Sequence, residues 1–95
     1  MGSTQVTDSN KADFLGDGTA SYAGDQQGGT LTLNDPKITD GYKYSDMVAG
    51  IYSELGSLKI TGTADLTTQC FTDGINARGN VDLNGTFKIK VRKNY

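Results

Sequence analysis

Residues 79–91 read GNVDLNGTFKIKV. Apolar residues alternate on both sides of Asn84-Gly85, with Val81 and Leu83 before it and Phe87, Ile89 and Val91 after it. A period of two puts alternate side chains on one face of a strand. Asn-Gly is the pair favoured in a two-residue type I′ turn, where both central residues need positive φ. The stretch therefore predicts a hairpin, with residues 80–83 paired antiparallel to residues 86–90.

Two earlier stretches share this cadence: GTLTLNDPKIT from Gly29 and GSLKITGTADL from Gly56, with weaker breaks at Asn34-Asp35 and Thr61-Gly62. Three hairpins predict an all-β fold, a small antiparallel sandwich or barrel. The rival is a short parallel β-solenoid. Gly29, Gly56 and Gly79 are spaced by 27 and 23 residues, within the range of solenoid repeats. DGINARGNVDLNG, residues 73–85, is similar to a rung of right-handed β-helix surface proteins, which favour Asp-Gly, Asn and Gly at their corners. The similarity covers about one rung. Hairpins are the preferred reading, because three unequal turns would make a very short solenoid with little capping.

Elsewhere, ADFLGDGTASYAG (residues 12–24) predicts a strand on either side of the Gly16-Asp17-Gly18 turn. Pro36 has no N–H for a ladder and marks a turn or an edge. In SDMVAGIYSELG (residues 45–56), Met47, Val48, Ile51, Tyr52 and Leu55 fall on one helical face. Ser45 or Asp46 suits the N-cap and Gly56 the position past the C-terminus, which predicts one short helix near 45–55. Against it stand Gly50 in mid-segment and the strand-like alternation of Ile51, Ser53 and Leu55.

A chain of 95 residues suits one domain, expected over residues 12–95 behind a polar N-terminal arm at residues 1–11. Hydrophobic residues make up 35% of the chain, and Leu, Ile, Val, Phe and Met together number 21. That lies just above the composition at which chains stay unfolded, and a net charge of −2 is too small to keep the chain expanded. The expected core is thin, and thin cores lean on disulfides, metals or partner subunits. Cys70 is the single cysteine and histidine is absent, which removes an intrachain disulfide and a zinc site. Association with a partner, or with copies of the chain, is the supplement that remains.

The same inventory argues against an enzyme. No imidazole is present to act as a general base near neutral pH. Cys70, beside Phe71, reads as a small buried hydrophobe. Ten aspartates and Glu54 show no spacing that singles out a catalytic pair. Asp17-Gly18, Asp40-Gly41 and Asp73-Gly74 read as turns rather than calcium loops. No metal and no cofactor are expected. A pI of about 4.8 disfavours nucleic acid. No segment reaches the roughly 20 apolar residues of a membrane-spanning helix, and the polar MGSTQVTDSNKADF start lacks the apolar region of a secretory signal.

Two features suit binding. In TFKIKVRK, Lys88, Lys90 and Arg92 fall in a row opposite Phe87, Ile89 and Val91. Such a stripe fits phosphates or an acidic neighbour; it is also the charge that guards edge strands against mispairing. Between Met1 and Pro36, five aspartates face one lysine, Lys11, so acidic head and basic tail can meet between molecules. In DGYKYSD, Tyr42 and Tyr44 share one side of an extended segment, with Tyr52 close in sequence. Tyrosines on a β scaffold stack on sugar rings or anchor protein interfaces, and equally cover the edge of a small core. The expected function is a non-enzymatic structural or interaction protein that assembles with partners or copies of itself, such as a virion decoration or tail component or a surface-array protein. The alternative is a carbohydrate-binding β module.

Overall fold

The computed structural model describes residues 1–69 and 71–89. Among these residues every regular element is a strand: β1 (Ala20–Gly24), β2 (Gly28–Asn34), β3 (Tyr42–Tyr44), β4 (Met47–Ser53), β5 (Ser57–Leu66), β6 (Asp73–Ala77) and β7 (Asn80–Ile89). A four-stranded sheet has the order β1-β2-β5-β7, and a three-stranded sheet the order β3-β4-β6. Both are mixed. β1 and β3 lie antiparallel to β2 and β4, whereas the β2–β5, β5–β7 and β4–β6 pairs are parallel.

The chain therefore coils. It leaves the four-stranded sheet after β2, passes through β4, returns in β5, crosses again in β6 and returns in β7. Each return lies in parallel register on the strand before it. Leu31, Ile60 and Leu83 stand in one column, and Gly29, Leu58 and Val81 in another. β5 shows the expected alternation: Leu58, Ile60, Ala64 and Leu66 are buried while Lys59, Thr63 and Asp65 are exposed. These buried residues join Leu31, Leu33, Ile51 and Phe71 in one cluster, so the two sheets share a core. At the N-terminus, the Met1 side chain enters that cluster, and the Gly2 N–H donates to the Gly50 carbonyl at 2.7 Å.

The all-β expectation holds, and its antiparallel character holds only for the β1–β2 and β3–β4 pairs. Asn84-Gly85 is not a turn: it lies inside β7, opposite Thr61-Gly62 of β5. The hairpin would have paired four or five residues with each other. The parallel register instead pairs all ten residues of β7 with β5 and brings Val81, Phe87 and Ile89 against the core. The break at Asn34-Asp35 ends β2 without a hairpin partner following it, and Asp35 takes φ +48° as the chain leaves the sheet.

The predicted helix near 45–55 is strand β4. Ala49, Ile51 and Ser53, on one face of the strand, are buried, and Gly50, also buried, lies against the Phe71 ring, where a Cβ would sit 2.8 Å from Cε2. Packing on β6 and Phe71 outweighs the helical spacing. Before Gly16-Asp17-Gly18 no strand forms, although Phe14 is buried.

The two ends of the coil differ. At the first, β1 and β3 run along the outer edges of β2 and β4, and the Tyr22 N–H of β1 in turn donates to the Lys11 carbonyl at 2.7 Å. At the other, β7 and β6 are the last strands of their sheets, and no described strand pairs with their outer edges.

Candidate functional site

One surface is made by the β3–β4 hairpin. Tyr44 pairs with Met47 across a two-residue turn in which Ser45 takes φ +54°, the positive value a primed turn needs at its first position. The hairpin brings Tyr42 and Tyr44 to Tyr52 of β4. Ring centroids lie 5.9 Å apart for Tyr42–Tyr44, 4.7 Å for Tyr42–Tyr52 and 5.0 Å for Tyr44–Tyr52. The three tyrosines singled out in the sequence form one cluster.

Its polar atoms are largely engaged. The Tyr44 hydroxyl donates to Asp73 Oδ2 at 3.0 Å and accepts from Asn76 Nδ2 at 2.5 Å, both on β6. The Tyr52 hydroxyl donates to Glu54 Oε1 at 3.1 Å. Two of the ring pairs are stacked, so the rings cover part of one another's faces. Tyr42 remains 46% exposed, beside an open depression of about 380 Å³ that Ser3, Asp40 and Lys43 also line. The Ser3 hydroxyl, 2.6 Å from Asp40 Oδ2, holds the Asp40 carboxyl below its usual range, with Lys43 adding to the effect.

The other surface is the open end of the coil. Leu83 stands beside Ile60 yet is 44% exposed, because no described strand follows β7. On the opposite face, Asp82 is the register partner of Lys59 and Lys88 that of Asp65. Lys90 and Arg92 of the expected basic row lie outside the described residues, as does Cys70.

Asp65 reports on this surface. The Thr67 hydroxyl and N–H both donate to Asp65 Oδ1, which holds the carboxyl below its ordinary pKa, and Lys88 adds to the shift. A carboxyl depressed in the folded state contributes its stabilisation above the ordinary value and loses it as pH falls through the folded value. We expect Thr67→Val to raise the Asp65 titration midpoint, read by NMR, by more than Lys88→Gln does. The reverse ranking would place the control in the cross-strand charge instead.

Among the described residues no three His, Cys, Asp or Glu side chains group as a metal site would require. Sequence reasoning missed Asp82 and Leu83 as surface features, because it folded them into a hairpin. A signal was available: SLKITGTADL and NVDLNGTFKI share Gly-Thr at the same step, and repeats in step belong side by side. Compared with protein-family models, curated proteins and solved structures, the chain matches none.

Proposed function

We propose that this chain is a short β-solenoid that serves as a non-enzymatic structural module, assembling with copies of itself and with partner proteins where its setting supplies them. The asymmetry of the coil's ends carries this reading. Antiparallel strands cover β2 and β4, while β7 is the last described strand of its sheet, with a ten-residue edge and an exposed leucine, Leu83. Unpaired edges accept further strands, and an exposed apolar side chain adds a reason to do so. A virion decoration or tail component and a cell-surface array are settings that suit such a module.

Sedimentation equilibrium tests it. The average mass should rise with concentration, and Leu83→Lys should move that rise to about tenfold higher concentration, equivalent to about 1.4 kcal/mol. A mass that stays monomeric to millimolar concentration would contradict self-assembly.

A second reading, a carbohydrate-binding module, is favoured by Tyr42, exposed beside a polar depression. Glycan-array binding that disappears in Tyr42→Ala would put it first. The self-stacking of the tyrosines weighs against it, since a sugar needs ring faces that are free.

A further inference from the structure

Resting on that assembly reading, we propose that β7 pairs antiparallel with β7 of a second copy, across a two-fold axis at Gly85. The strand is self-complementary about that residue. With Gly85 opposite its own counterpart, Asn84 meets Thr86, Leu83 meets Phe87, Asp82 meets Lys88 and Val81 meets Ile89, each pair occurring twice. Directly opposed residues of an antiparallel pair share a face. Apolar residues thus meet apolar residues on the core side, and on the other face each acid meets a base. Shifting the pairing by one step in either direction breaks both sets of matches.

The match continues into the neighbouring strands of the sheet. Within one chain Lys59 stands beside Asp82, and Asp65 beside Lys88. Adding the second copy continues the row as Lys59, Asp82, then the second copy's Lys88 and Asp65, with charge alternating throughout. On the inner face Ile60 and Leu83 are followed by the second copy's Phe87 and Ala64. Glycines meet at the centre, Gly62 and Gly85 of one chain running into Gly85 and Gly62 of the other. The exposed side of Leu83 receives a cover, and the two four-stranded sheets become one. The near-palindrome that resembles a hairpin within one chain is, on this account, a pairing code between two.

Two charge variants test the register. In Asp82→Lys alone, each dimer would oppose the introduced lysine to Lys88 twice; in Lys88→Asp alone, Asp82 would face the introduced aspartate twice. Each variant should dimerise at least about tenfold more weakly than the parent chain, because opposed like charges replace opposed unlike ones. An equimolar mixture restores both opposite-charge pairs and should associate within about threefold of the parent. Changes inside each chain, such as the introduced lysine standing beside Lys59, are the same alone and mixed, so the rescue reports the contact between chains. NMR spectra of the dilute variants check that the fold is kept. If the parent dimerises but the single variants match it, or the mixture shows no rescue, this pairing is overturned while the assembly reading stands. If the parent does not associate at all, both fall together.

Discussion

Gly62→Ala should destabilise the protein by about 3–5 kcal/mol, a large share of the roughly 5–15 kcal/mol that typical domains have. Gly62 lies in the middle of β5 at φ +103°, where an L side chain is strained by about 1–3 kcal/mol. An added Cβ would fall 1.8 Å from the Leu33 carbonyl oxygen. That neighbour is backbone, so relief requires β2 and β5 to separate, with loss of ladder hydrogen bonds and of packing between Leu31 and Ile60. Gly85 repeats the arrangement one strand further on, its Cβ position lying 2.0 Å from the Gly62 carbonyl oxygen. Gly85→Ala should cost less, because β7 is the last described strand of its sheet and can shift outward. Urea unfolding gives both values. A loss near 1 kcal/mol at Gly62 is no more than the positive φ alone would cost, and would contradict the close stacking of the strands.

Phe71→Ala should cost a similar amount, about 3–5 kcal/mol, the usual range for a buried aromatic ring. Phe71 is 1% exposed and its ring packs against Gly50, the one residue type in β4 that leaves room for it. The ring belongs to the same buried cluster as Ile51 of β4 and Leu58 and Ile60 of β5. Removing it takes away contacts from both sheets at once and leaves a cavity that rigid strands close poorly. The urea midpoint should fall without a change in slope. A loss below about 1 kcal/mol would mean that the sheets hold together without this ring.

The sequence made the strands legible and hid how they pair. Leu58, Ile60, Ala64 and Leu66 announce β5 through period-two burial, and the same period marks β2 and β7. Pairing direction is a different matter, because Asn-Gly serves equally well at a hairpin turn and in a close glycine column. What separates the two is long-range: Gly85 is glycine because Gly62 lies beside it, and Gly62 because Leu33 does. Local pattern also misled at residues 45–56, where helical spacing was real but Gly50 was reserved for Phe71. The tyrosine trio was legible as a group because β3 and β4 are joined by a tight turn. Its supports, Asp73 and Asn76, come from β6 and could be found only once that strand was placed.

Residues 80–89 lie parallel on residues 57–66 rather than folding on themselves. Nuclear Overhauser contacts settle it when recorded on a dilute sample and again on a mixture of isotope-labelled and unlabelled chains, which separates contacts within a molecule from those between molecules. Contacts within one chain should link Leu58 to Val81, Ile60 to Leu83 and Ala64 to Phe87. Contacts within one chain linking Leu83 to Phe87 across a turn at Asn84-Gly85, with none to β5, would contradict it.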